Sequence, residues 1–536
     1  MENPIHNRAA MKSASVLERM MLVAVAAALV CRTWILSPQQ PMWLDEIYTF
    51  YAIDHPTWPD FWRSFTSNIN AAPPGYFTLM WLAGRVVPLT ELNLRIFSAL
   101  CCGGAFAVTW SVLRRHADFF AATIGASVAL LTSRLFLFHN SDARFYGLYL
   151  LAIAWAVSEY DRLCTAEPRR GWFWRNALSH ALAVATAYVA GMFSAAILAA
   201  FVLRDLRVTT WRPKVYLSVI AGWFPVVLCL PFILAIGSAP KWIPKPGPTA
   251  AFHPFDPGLE VAPVYFIFAA LAVLAAWRWF RGDRAEEPRE STAPSDSHLI
   301  LLAALFLAVP YGVLALTWAG MPTLIDRYSL PALLAFPILL TSAIRSLLRG
   351  EDSTPSRAIK ALAVAGMLVW PALDAWTWVR DHPAAKPPSD PDFVLAAPVR
   401  VTTDPHVYFR RHYYDRAHRP SLVFVARSAK IAAALRQFHP AINAVTVDEL
   451  LARYPRFAVV ADQRQNDWLT DELIRARHVA VERDERNGYG RAWVFNVDLE
   501  HCPNCGGALK MIAAIEDPPV IIKILSHLGL PSWRGY

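Results

Sequence analysis

Residues 20–51 read MMLVAVAAALVCRTWILSPQQPMWLDEIYTFY. The run from Met20 to Leu36 is apolar and long enough to cross a bilayer. Just beyond it, Asp45 and Glu46 sit side by side among Trp43, Tyr48, Phe50 and Tyr51. A basic N-terminus (Arg8, Lys12, Arg19) precedes the run and no small-residue cleavage site follows it. The run therefore reads as an uncleaved first span with its N-terminus inside, not as a signal peptide.

The whole chain repeats that character. Of its 536 residues 55% are hydrophobic and only 17% charged, against about 25% charged in an ordinary globular chain. Mean hydropathy is +0.30. These figures exclude a soluble multidomain protein, a disordered chain, a collagen-like chain and a coiled coil. The net charge of +9, from 51 basic and 42 acidic residues, would suggest a nucleic-acid partner in a soluble protein. In a membrane protein it is the expected excess on cytoplasmic loops, and no nucleic acid is expected. Trp (21) and Pro (40) suit interfacial anchors and loops between spans. The seven Cys are too few, and mostly too apolar in setting, for a disulfide framework. The reading is a polytopic α-helical membrane protein with about 10–12 spans.

Further apolar runs fall at 92–112, 118–137, 145–159, 176–202, 214–236, 262–279, 299–319, 328–348 and 359–378. The basic clusters Arg114/Arg115, Arg162 to Arg175, Arg204 to Lys214, Arg278 to Arg289 and Arg345 to Lys360 belong in the cytoplasm. The run Tyr76 to Val87 is short and interrupted by Arg85, as in a re-entrant or interfacial helix. If it does not cross, His139 to Arg144 lie outside and the run 176–202 is a tight hairpin of two helices. Residues 1–380 then form the membrane domain. Residues 381–500 alternate β-like runs (Phe393 to Ala396, Ser421 to Val425, Phe457 to Val460, Ala492 to Val497) with helical stretches at 429–437 and 466–476. They read as a small extracytoplasmic α/β domain.

Ionisable groups at membrane depth are costly and usually functional, which singles out Asp45 and Glu46. Aromatic neighbours lower the local dielectric and would raise a carboxyl towards the range of a general base; two solvated acids on an exposed loop is the competing reading. Ala-Ala-Pro-Pro-Gly-Tyr, ending at Tyr76, fixes an extended entry into the next segment. Asp142 and Arg144 fall in a polar cluster between two apolar runs, where a simple interfacial ion pair is the plainer account. Arg327, between Asp326 and Tyr328 at the mouth of a span, suits a phosphate through forked hydrogen bonds, with snorkelling to the interface as its alternative. Lys241 and Lys245 flank Trp242 in a loop that would hold a lipid headgroup or anchor itself.

A first span followed by Trp43-Leu44-Asp45-Glu46, then Ala72-Pro73-Pro74-Gly75-Tyr76, Leu94-Arg95-Ile96-Phe97-Ser98, Asp142-Ala143-Arg144-Phe145-Tyr146 and Asp326-Arg327-Tyr328-Ser329-Leu330-Pro331 resembles the GT-C membrane glycosyltransferases. Within them it looks like the bacterial relatives of dolichyl-phosphate-mannose protein mannosyltransferases and lipid A aminoarabinose transferases. The resemblance runs over residues 15–500 and implies a polyprenyl-phosphate-linked sugar donor and a lipid, glycan or protein acceptor outside the inner membrane. Carried onto this chain, it implies Asp45 as catalytic base, Glu46 as its support or a ligand for a divalent ion (Mg or Mn), and Asp142 as a second acid across the cavity. It also implies Arg327 on the donor phosphate and a single inverting displacement; Tyr328, Arg144, Lys241 and Lys245 are the further candidates for that phosphate. The His-Tyr pair that the family often carries in the hairpin has no match at Tyr188 to Phe193.

Residues 501–536 depart from that pattern. His501-Cys502-Pro503-Asn504-Cys505-Gly506-Gly507 and the segment Ile524 to Pro531 resemble the tail of an insertion-sequence transposase. Cys502 and Cys505 supply half of a four-ligand zinc site, with only His501 and His527 nearby. A fusion relic is the expectation. The rival functions are a transporter or flippase of a lipid-linked substrate, which would show paired half-sequences not found here, and an inactive relative.

Overall fold

The computed structural model describes residues 4–67, 69, 72–235, 247, 249–250, 297–319, 325–347, 354–381, 392–462, 468–475, 480–487 and 490–497. The chain divides into two compact units, Met1–Pro387 with Gln437–Pro440, and Pro388–Arg436 with Ala441–Tyr536. Lys241, Lys245, Cys502, Cys505 and the apolar run at 262–279 lie outside the described residues.

The first unit is helical. A long α1 (Pro4–Leu36) leads into three short helices, α2 (Leu44–Ile53), α3 (Trp58–Phe65) and α4 (Pro74–Ala83). Then come α5 (Glu91–Leu113), α6 (Phe119–Leu131), α7 (Arg134–Asn140), α8 (Tyr146–Thr165), α9 (Trp172–Thr186), α10 (Ala190–Arg207), α11 (Pro213–Ala221) and α12 (Phe224–Ala235). The last described helices are α13 (Ser297–Trp318), α14 (Ile325–Tyr328), α15 (Ala335–Leu347), entered through a 3-10 turn at Leu330–Leu334, and α16 (Thr354–Asp381). Among the described residues, Glu18–Leu36, Glu91–Leu113, Pro213–Leu230 and Ser297–Trp318 are long and apolar enough to cross a membrane unaided. Helices α6 and α7 make a fifth crossing length, bent by 75° between them.

That bend corrects the expectation of one continuous run over 118–137. Thr132 Oγ1 donates back to Val128 O at 2.6 Å, and Ser133 Oγ caps α7 by accepting from Phe136 N–H at 3.3 Å. Such local bonds offer the backbone an alternative to continuing the helix. The run 176–202 is also broken, at residues 187–189. Arg204, in the last turn of α10, donates to Cys164 O at 2.8 Å, and Arg212 donates to Leu163 O. The end of α10 therefore returns to the end of α8, from which α9 departs, and the two helices form a hairpin. Helix α4 has 10 residues, too few to span.

Among the described residues, the basic clusters Arg114/Arg115, Arg162 to Arg175 and Arg204 to Lys214 gather at one end of this unit. There Arg114 pairs with Glu18 of α1 at 2.8 Å, Arg162 with Glu159 at 2.9 Å and Arg212 with Asp205 at 2.7 Å. Asp161 of α8 meets Arg115 at 2.6 Å, His116 Nε2 at 2.7 Å and His298 Nε2 at 2.8 Å, tying the ends of α5, α8 and α13 together. The opposite end of α1 carries Arg32, whose guanidinium reaches Asp374 of α16 at 2.8 Å and Leu137 O of α7 at 2.7 Å. Helices α2 and α7 and the start of α8 meet at this second end.

The second unit is a six-stranded sheet in the order β3-β2-β1-β4-β6-β5. Strands β1 (Arg400–Thr402), β2 (Leu422–Val425), β3 (Ala444–Val445) and β4 (Arg456–Asp462) are parallel. Strands β6 (Gly490–Asn496) and β5 (Ala480–Asn487) are added antiparallel. Helices α17 (Asp392–Leu395), α18 (Pro405–Tyr414), α19 (Ala429–Phe438), α20 (Val447–Arg453) and α21 (Trp468–Arg475) connect them. Val401, Val423, Val445, Phe457, Val459 and Phe495 form the core against Leu450, Leu469 and Leu473. The expected strand at Phe393 to Ala396 is instead the helical turn α17, and the first strand starts at Arg400. Pro398 ends the apolar run, while Arg400 is buried and paired with Asp415 at 3.1 Å, so its charge hid a core strand.

Candidate active site

The first turn of α2 places two carboxylates at a helix N-terminus, where the exposed N–H groups and the helix dipole favour negative charge. Their side chains turn to different partners. Glu46 is 1% exposed and Arg95 of α5 is 2% exposed. Arg95 Nε donates to Glu46 Oε1 at 2.8 Å and Nη2 to Oε2 at 2.7 Å. The same two oxygens accept the backbone N–H groups of Ala143 at 2.8 Å and Trp43 at 3.2 Å. Arg95 Nη1 is held by Ser37 O at 3.2 Å and Gln40 O at 2.7 Å. One buried forked pair thus joins the exit of α1, the start of α2, α5 and the 141–145 turn.

Asp45 faces outward with its side chain 28% exposed. Its Oδ2 accepts from Arg327 Nη1 at 2.9 Å and stands 4.0 Å from Arg144 Nη2. Asp45 therefore lies between two guanidinium groups. Arg144 Nη1 donates to Asp45 O at 3.2 Å and Thr49 Oγ1 at 3.1 Å, which fastens the 141–145 turn to α2. The Arg327 guanidinium also lies over the Trp43 ring, 4.2 Å from its centroid, a cation–π contact.

Trp43 is itself fixed. Its Nε1–H donates to Asp142 Oδ1 at 3.1 Å, and Asp142 Oδ2 is 3.1 Å from His139 Nδ1. Ser98 Oγ donates to Asp142 O at 2.6 Å. The plain ion pair of Asp142 with Arg144 does not form: Asp142 turns to Trp43 and His139, and Arg144 to α2. Tyr328 contributes its carbonyl, which accepts from Tyr149 Oη at 3.1 Å. Gly75 lets the start of α4 press against α9, since a Cβ there would sit 2.5 Å from Ala185 O.

A cavity of about 620 Å³ is lined by Trp43, Glu46, Arg95, Ser141, Asp142 and Trp378 among others; it reaches the cluster through Trp43, and Asp45, Arg144 and Arg327 do not line it. Tyr76 Oη, His139 Nε2 and Arg144 Nε are buried around the site with no hydrogen-bond partner among the described residues. The arrangement does not suit a divalent ion. Both Glu46 oxygens are taken by N–H donors, and a cation at Asp45 would meet Arg327 and Arg144.

The sequence brought forward Asp45, Glu46, Asp142, Arg144, Arg327 and Tyr328, and the structure gathers all six at one end of the helical unit. It adds Arg95, Trp43 and His139. Arg95 carried a signal that could have found it: an arginine inside a long apolar helix needs an internal partner.

No protein-family model and no curated protein matches the chain. Two solved structures of ArnT from Cupriavidus metallidurans do. The one bound to undecaprenyl phosphate aligns with 14% identity and a TM-score of 0.54, covering 89% of this chain and 98% of that one. The apo form aligns with 13% identity and a TM-score of 0.57, covering 90% and 98%. At that identity the likeness establishes the fold alone: the polytopic helical GT-C fold of these ArnT structures.

Proposed function

We propose that the chain transfers a sugar from a polyprenyl-phosphate donor to an acceptor hydroxyl, with Asp45 as base and inversion at the anomeric carbon. The observation that carries this reading is a partly exposed carboxylate beside a guanidinium pair, with a cavity of about 620 Å³ reaching the cluster through Trp43, in a fold shared with a protein solved with a polyprenyl phosphate bound. Asp45 takes the acceptor O–H proton as the acceptor oxygen attacks the anomeric carbon. The sugar–phosphate C–O bond breaks, and its electron pair leaves with the lipid phosphate. Arg327 and Arg144 stabilise the charge that develops there. Glu46 acts as a positioning group and not as a metal ligand, because Arg95 and two backbone N–H groups hold both its oxygens. Asp142 positions Trp43, which in turn supports Arg327.

The basic clusters at the far end favour a cytoplasmic position there, so the carboxylate end faces the exterior of the inner membrane. In Asp45→Asn, transfer from a polyprenyl-phosphate sugar is expected to fall by about 10²–10⁴-fold with the folded chain retained. Full activity in that variant would remove Asp45 as base. Mass spectrometry of envelope glycans in a deletion strain identifies the sugar and the acceptor.

A further inference from the structure

We propose that Arg327 is shared between two anions, and that arrival of the donor phosphate draws it away from Asp45 and so releases the carboxylate to act as base. The inference rests on the transferase reading above and concerns the order of events at that site.

A carboxylate oxygen that accepts from a guanidinium at 2.9 Å has that lone pair engaged and is poorly placed to take an acceptor proton. In the ligand-free geometry Asp45 is therefore masked at Oδ2, the oxygen that faces Arg327 and Arg144. That contact is also easily undone. The Arg327 and Asp45 side chains are 27% and 28% exposed, and ion pairs this open to water are weak. By contrast, the surroundings of Arg327 are fixed. Its guanidinium lies 4.2 Å above the Trp43 ring, and that indole is locked by the 3.1 Å bond from Nε1 to Asp142 and, through the Trp43 backbone N–H, by Glu46. The platform stays in place whichever anion the guanidinium faces.

A phosphate offers several oxygens to the arginine fork, where the contact to Asp45 uses one Nη1–H. Phosphate therefore competes well for the same group. Arg144 does not follow it, because its Nη1 is already tied to Asp45 O and Thr49 Oγ1 on α2. Only one contact changes partner. The consequence is an order of binding: the donor must be seated before the acceptor hydroxyl meets a free base.

The test is binding of undecaprenyl phosphate to the full chain in detergent micelles, with undecaprenol as the uncharged control. Because Asp45 competes for Arg327, Asp45→Asn is expected to bind undecaprenyl phosphate about fivefold more tightly than the wild type, the upper end for an exposed pair. Asp45→Ser, which cannot re-form the contact through an amide oxygen, should do the same. Arg327→Ala should weaken binding at least about tenfold, and undecaprenol should distinguish none of the variants. Equal binding by wild type and Arg327→Ala would overturn the donor-phosphate role of Arg327, and with it the transferase reading of this site. Weakened binding in Arg327→Ala, but unchanged or weaker binding in both Asp45 variants, would overturn the exchange and leave the transferase reading standing.

Discussion

Glu46 and Asp45 are adjacent, yet their loss should damage different properties. In Glu46→Gln one carboxylate oxygen becomes an NH₂ group. Whichever oxygen is replaced, it faces one Arg95 N–H and one backbone N–H, so two acceptor contacts become donor against donor. The remaining two lose their charge assistance, and Arg95, 2% exposed, is left buried without a counter-charge. Breaking a buried pair from one side costs about 3–5 kcal/mol. Asp45→Asn loses a contact whose partners are 28% and 27% exposed, worth about 1 kcal/mol at most. The assay is unfolding in mixed micelles of rising SDS fraction, followed by the fluorescence of the 21 tryptophans. A double-mutant cycle with Arg95→Met should give a coupling of about 1–3 kcal/mol, since removing both partners also removes the stranded charge. Glu46→Gln unfolding within about 0.5 kcal/mol of the wild type, or coupling near zero, would refute the view that this pair holds α2 in place.

Gly75→Ala should destabilise the first unit by about 1–3 kcal/mol in the same assay, because the new Cβ meets the Ala185 carbonyl at 2.5 Å and backbone cannot swing aside. Gly191→Ala, with nothing within 4 Å, should be neutral or slightly stabilising. In the second unit, burial alone would raise Asp415, but hydrogen bonds from His418 and Arg400 outweigh it and hold the carboxyl below its ordinary value of 3.8. A depressed carboxylate adds stability that is present above that value and lost as pH falls through the folded one. The hydrogen-exchange protection of residues 400–421 in the full chain, taken relative to the intrinsic amide rate at each pH, should fall on acidification through this range, and Asp415→Asn should remove that pH dependence. For orientation, a reporter fused after Asp142 should be active outside the cytoplasm; a cytoplasmic signal would reverse the assignment of the two ends.

The helical hairpin over 176–202 was legible because it rests on local information, a run too long for one span; Asp45 and Arg327 stood out as charges beside apolar runs, and the fold brings them together. What could not be read was pairing. Glu46 read as support for Asp45 or a divalent-ion ligand because nothing near it in the chain announces Arg95, 49 residues away. The Asp142–Arg144 pair was a guess from proximity, and the fold separates the two by sending them to Trp43 and to α2. The 75° bend after α6 was hidden because Thr132 and Ser133 are mild interruptions in hydropathy, yet their hydroxyls bond to local backbone. In the second unit, strand β1 escaped notice because Arg400 reads as surface until Asp415 is seen beside it.

The half-length helix α7 has a bearing on how the protein is made. It ends in His139 and Asn140, both fully buried, a composition that enters a bilayer poorly alone. The groups that satisfy this segment lie on α1: Asn140 Nδ2 donates to Leu29 O at 3.1 Å and Thr33 Oγ1 at 2.9 Å, and Arg32 donates to Leu137 O at 2.7 Å and Ser141 Oγ at 3.0 Å. Those partners were synthesised 105 to 111 residues earlier. N-terminal elements are available first during translation, so the partners of α7 exist before α7 itself is made. Replacing Arg32 and Thr33 with apolar residues is therefore expected to impair insertion of α7, read as loss of the exterior signal from a reporter fused after Asp142.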